Sequence, residues 1–113
     1  MNKAIQARDR ILMEIVGNVL DNIEWRAVLS DDDYDDAFEF LEIPQVRGMM
    51  SLIVLNLLIR PDMALSYADM AKRISIRNEA VLSMYQVVLN LLQQADVIAR
   101  DPDNNDIILI KVE

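Results

Sequence analysis

The sequence predicts a mainly helical domain that closes with a two-stranded β-hairpin, and three observations carry that expectation. Apolar residues recur at three-and-four spacing along most of the chain, the period of a helix with one buried face. Only two glycines and three prolines interrupt 113 residues. Near the C-terminus, the β-rich runs VIAR (97–100) and IILIKV (107–112) flank a loop rich in Pro, Asn and Asp. An apolar content of 53% argues against disorder, and the length suits one domain able to bury a core unaided.

Taken in order, residues 3–28 read as one amphipathic helix. Ile5, Leu12, Ile15, Val16, Val19, Leu20 and Ile23 mark its apolar stripe, with Gly17 inside it. Ser30 then offers an N-cap, and Asp31, Asp32 and Asp33 put negative charge at the positive end of a second helix. Tyr34, Ala37, Phe38 and Leu41 give that helix its apolar side, and Pro44 closes it. Residues 45–59 are apolar almost all round and predict a central, buried helix that Arg60-Pro61-Asp62 breaks. Leu55 is expected in the core, so that an aspartate there would be severely destabilising. ALS (64–66) reads as a short strand. Ser66 with Asp69 three residues on makes a capping signature for a short helix to Ile74. Residues 75–77 form a tight turn, and a long helix runs from about Asn78 to Ala95. The hairpin over 97–112 is the only substantial β element expected.

Composition narrows the chemistry. With no cysteine and no histidine, the chain has no disulfide or thiolate and lacks the commonest general base, so an enzyme is not expected. No cofactor and no metal is expected either. The run DDDYDD lacks the alternation and glycine of a calcium loop, and in DPDNND Asp106 stands where that glycine belongs. The longest apolar stretch, 49–59, is too short to span a bilayer, and no signal segment opens the chain. A cytoplasmic protein is therefore expected. The net charge of −8 is uneven: residues 1–44 hold four Lys/Arg against eleven Asp/Glu, and residues 45–113 hold seven against eight. That split predicts two functional parts, an acidic helical extension over 1–44 and a second unit over 45–113.

Helix, short strand, helix, tight turn, helix and two-stranded wing make residues 45–113 resemble a winged helix-turn-helix domain: a three-helix core plus a C-terminal wing, here with an N-terminal two-helix extension. Within that superfamily the tract from LSYADMAKRIS to VVLNLLQQADVIARDPDNND is similar to the multiple-antibiotic-resistance regulator type. Ala71, Leu92, Val97, Ile98, Arg100, Asp101, Pro102 and Asp103 take the places of that pattern. Asp96 replaces its exit glycine, and Asn104-Asn105-Asp106 replaces a wing tip that usually carries arginine. The family's dimerising C-terminal helix has no counterpart after the wing, so dimerisation falls to residues 3–28.

The resemblance implies a DNA-binding transcriptional regulator, a homodimer reading successive major grooves. On a helical wheel of the long helix, Val81, Met84, Tyr85, Val88, Leu91, Leu92 and Ala95 face inward. Glu79, Ser83, Gln86, Asn90, Gln93 and Gln94 form the opposite polar stripe, with Leu82 and Leu89 on its edge. Amides in such a stripe suit bidentate contacts to adenine. Candidate DNA-binding residues are Lys72, Arg73, Arg77, Asn78, Ser83, Gln86, Asn90 and Arg100, with Lys111 a further cation. The alternative is an acidic protein-interaction module, as inhibitor, adaptor or DNA mimic, in which Asp31, Asp32, Asp33, Asp35 and Asp36 dock a basic partner.

Overall fold

The structure, a computed structural model, describes residues 3–111, with side chains from residue 10 onward. The side chain of Ile5, and Val112 at the hairpin's predicted end, lie outside the described residues. The elements follow in the order α1 (Lys3–Asp21), α2 (Trp25–Val28), α3 (Asp31–Glu42), α4 (Pro44–Leu58), β1 (Ala64–Ser66), α5 (Tyr67–Arg73), α6 (Glu79–Gln94), β2 (Ile98–Asp101) and β3 (Asn104–Ile110). The chain is mainly helical with a small antiparallel sheet.

The single helix expected over 3–28 is two. α1 ends at Asp21, residues 22–24 break it, and α2 is one turn. Asp21 and Asn22 are residues whose side chains compete with helical backbone bonding, and the break lets Ile23 and Trp25 turn onto the core. Ser30 caps α3 as its spacing predicts, its Oγ accepting the Asp33 N–H at 3.2 Å. Ile43, held extended ahead of Pro44, separates α3 from α4, and Pro44 opens α4 at its first turn. The two helices meet at 90°.

α4 is the central helix. It buries Val46, Met49, Met50, Ile53, Val54 and Leu57. Its outer face is more open than its composition suggests: Leu52 and Ile59 are exposed and Leu55 is only half-buried. Leu52, Leu55 and Ile59 are interspersed on the outer face with Arg47, Gly48, Ser51 and Asn56, which blurs in the sequence the contrast between the two sides. α1, α3 and α6 all pack on α4. Val16, Leu29 and Leu41 from the first 44 residues join one core with Tyr85, Val88, Leu92, Ile98 and Ile108.

Two helix ends share a geometry. After α5, Ser75 adopts φ 59°, with the Ile76 N–H bonded to Ala71 O and the Ser75 N–H to Lys72 O. After α6, Asp96 adopts φ 61°, with the Val97 N–H bonded to Leu92 O and the Asp96 N–H to Gln93 O. Both are left-handed caps of the kind glycine usually supplies. Asp96 thus holds a left-handed backbone conformation that glycine usually supplies.

The sheet order is β1-β3-β2, antiparallel throughout. β1 pairs Leu65 with Ile108, so the hairpin has a third strand on its inner edge. β3 also begins earlier than predicted, at Asn104, leaving Pro102 and Asp103 as the turn. Side chains make this possible. Asp101 accepts the Asp103 N–H at 2.8 Å, Asn104 accepts the Asp106 N–H at 3.1 Å, and the Arg100 guanidinium donates to the Asn105 carbonyl at 3.0 Å. They satisfy backbone groups around the register shift at Arg100/Asp101 and carry pairing to the tip.

Candidate nucleic-acid interface

α6 is placed by its inner face. Tyr85, Val88, Leu89, Leu91 and Leu92 are buried, and Val81, Met84 and Ala95 are half-buried. Leu89 is 2% exposed and belongs to the core, not the rim. On the wheel it lies only one step from Tyr85 and Val81, near enough for α4 to cover it. Asn78 caps the helix, its Oδ1 accepting the Val81 N–H at 2.9 Å.

The outer face carries the predicted stripe. Glu79, Ser83, Gln86, Asn90, Gln93 and Gln94 are all exposed. Val87, which sequence reasoning passed over, is 46% exposed and lies one turn from both Ser83 and Asn90. It makes an apolar spot at the edge of a polar surface. A methyl pair at that position suits the C5-methyl of thymine, beside amides that suit adenine. The wheel already places Val87 next to Ser83; its apolar character hid it.

The cations divide into two groups. Lys72 and Arg73 are exposed in the last turn of α5, and Arg77 is exposed in the turn that leads into α6. Arg60, absent from the sequence-derived set, shares a shallow depression with Lys72 and Arg73, lined also by Leu65 and Asp69. Its signal was weak because it reads as part of a helix-breaking loop. Arg60 Nε lies 3.9 Å from the Asp62 carboxylate.

Arg100 and Lys111 form the second group, and both are engaged within the fold. Arg100 is half-buried, bonded to the Asn105 carbonyl at 3.0 Å and 5.7 Å from the Tyr67 ring. Lys111 Nζ bonds the Asp96 carboxylate at 2.8 Å, tying the base of the hairpin to the exit of α6. Around the tip, Asp103, Asn104, Asn105 and Asp106 are exposed, so its surface is acidic.

Beneath the stripe, Tyr85 fixes α6 against α5. Its hydroxyl donates to the Tyr67 carbonyl at 2.8 Å, and the two rings stack with centroids 4.9 Å apart. Burial, reinforced by Tyr67, pushes the Tyr85 hydroxyl well above the usual phenol range, and Arg100 opposes this only in part.

The other predicted set, Asp31, Asp32, Asp33, Asp35 and Asp36, is exposed on α3, which packs on α4. Among the described residues, no single helix is long and apolar enough to cross a membrane. No protein-family model, curated protein or solved structure matches the chain.

Proposed function

We propose that this chain is a small winged-helix transcriptional regulator that reads DNA as a dimer through α6. The observation that carries the reading is an uninterrupted exposed stripe on α6, reached from α5 through a sharply capped turn that leaves Lys72, Arg73 and Arg77 exposed. The amides of Gln86 and Asn90 and the hydroxyl of Ser83 are the base readers. Lys72, Arg73, Arg77 and Arg60 supply the phosphate attraction. Asn78 and Arg100 act structurally, as a cap and as the strut of the hairpin. A second copy would cover α1, where Ile11 (57% exposed) and Ile15 (43%) present an apolar edge one turn apart. Selection of binding sites from random duplex DNA tests the reading. Gln86→Ala and Asn90→Ala should relax the base preference while leaving most of the affinity. Failure to enrich any sequence would remove base readout from α6.

A second reading has its own support. The acid-rich α3 and the acidic hairpin tip favour a basic protein over DNA at those surfaces. In that reading the same fold is a scaffold, and Asp31, Asp32, Asp33, Asp35 and Asp36 steer the partner.

A further inference from the structure

A concavity lies away from α6. α1, α2, α3 and the start of α4 enclose an open cleft of about 470 Å³. Trp25 of the one-turn α2, which follows the break after Asp21, lines it together with Tyr34 and Phe38 of α3. Three of the six aromatic residues in the chain therefore line one cleft. Phe38 is 48% exposed there although it sits on the apolar side of its helix.

The charges at its mouth are unequal in their engagement. Arg47 is bonded to the Leu41 carbonyl at 3.4 Å and lies 3.9 Å from the Glu42 carboxylate. The Arg26 guanidinium carbon lies over the Tyr34 ring of the cleft, 4.4 Å from its centre. The carboxylates of Asp21 and Glu24 have no side-chain partner among the described residues. Glu24 precedes α2 without capping it. The cleft thus combines ring faces, the Arg26 guanidinium already over one of them, and two carboxylates without a side-chain partner among the described residues. It sits in the half of the chain that holds eleven Asp/Glu against four Lys/Arg.

We propose that this cleft receives an arginine side chain from a basic segment of a partner protein. The guanidinium stacks on the ring faces of Trp25 and Phe38 and is met at the rim by Asp21 and Glu24. Arginine is preferred to lysine because its planar, weakly hydrated head stacks on rings and pairs with carboxylates in a fork. The acidic first turn of α3 accelerates encounter, and the aromatic cleft gives the anchor. The inference rests on the partner-docking reading of the acidic half and is independent of DNA binding by α6.

Trp25 is the only tryptophan, so its fluorescence reports the cleft directly. The probe is a peptide alternating arginine and alanine, titrated into the full chain beside its lysine counterpart. A saturable change in Trp25 emission, stronger for the arginine peptide, is expected. Phe38→Ala should weaken binding roughly tenfold while the chain stays folded with a modest drop in melting temperature, since Phe38 is about half exposed and meets the Tyr34 ring at 5.8 Å. Asp21→Asn with Glu24→Gln should weaken it several-fold and flatten its salt dependence. Glu79→Gln, at the start of α6, should leave it unchanged. Peptide binding measured by calorimetry with Trp25 silent, or indifferent to Phe38→Ala, would overturn the cleft while keeping an acidic docking surface. Absence of peptide binding by either method would overturn both. Equal affinity for arginine methyl ester and the peptide would make this a small-cation site and overturn the partner.

Discussion

Ser75 and Asp96 hold left-handed backbone at the ends of α5 and α6, a conformation that penalises any residue with a Cβ by about 1–2 kcal/mol. Ser75 is exposed, and its hydroxyl makes no hydrogen bond among the described residues, so Ser75→Gly should stabilise the fold by about 0.5–1 kcal/mol in urea unfolding. Lost stability would mean that the hydroxyl contributes to the turn. Tyr85 carries a different prediction. Its hydroxyl titrates higher folded than unfolded, so its contribution is intact below about pH 10, the unfolded phenol value. Above that it declines, because the unfolded chain ionises first. Tyr85→Phe should cost about 1 kcal/mol at neutral pH through the lost bond to Tyr67, and its stability should fall less steeply above pH 10. An alkaline profile identical to that of the native chain would contradict this. At this scale the sequence is legible where one residue type has one local use, as with Ser30 and Ser66 as caps, whereas the capping role of Asn78 emerges only from the structure. The sequence is not legible for Arg100, which meets the distant Tyr67, or for Val87, whose apolar character hid its exposed place beside Ser83.

Among the elements, α4 was read correctly as central and incorrectly as uniformly buried. Periodicity shows a buried face only by contrast with a polar one, and α4 offers little contrast. Leu57→Ala, at a site with 0% exposure, should therefore cost about 2–5 kcal/mol, whereas the half-buried Leu55 allows an aspartate to reach water. Leu55→Asp should be the milder change in thermal melting; the reverse order would place Leu55 in the core. Gly48 gives the opposite sign. A Cβ there meets no atom within 4 Å, so Gly48→Ala should stabilise α4 by about 1 kcal/mol. No gain would argue that the glycine serves a contact outside this chain. The break between α1 and α2 was missed because the apolar stripe runs through it in register, up to Ile23. The hairpin was found, but the length of β3 was not, since Asn104, Asn105 and Asp106 have turn chemistry and become strand only through the bonds of Arg100, Asp101 and Asn104.

For the whole molecule, charge decides between the functional readings. The helical order and the small sheet follow from patterns the chain repeats at every level, and that consistency is why they were legible. The ligand was not, because affinity depends on how few cations cluster and on how many the fold itself engages. Of the seven Lys/Arg in residues 45–113, Arg100 and Lys111 are tied to the hairpin and its base, and Arg47 faces the cleft. Arg60 lies 3.9 Å from the Asp62 carboxylate, so on the proposed reading Lys72, Arg73 and Arg77 carry most of the attraction for phosphate. The measurement that tests this most directly is duplex DNA binding by fluorescence anisotropy across a salt series, for the native chain, for Lys72→Ala and for Arg77→Ala. The account predicts a log–log salt slope that falls by about one unit for each lost phosphate contact, with affinity unchanged or raised when Asp31, Asp32, Asp33, Asp35 and Asp36 are made asparagine. DNA binding that is absent at low salt, or that ignores both Lys72→Ala and Arg77→Ala, would contradict it.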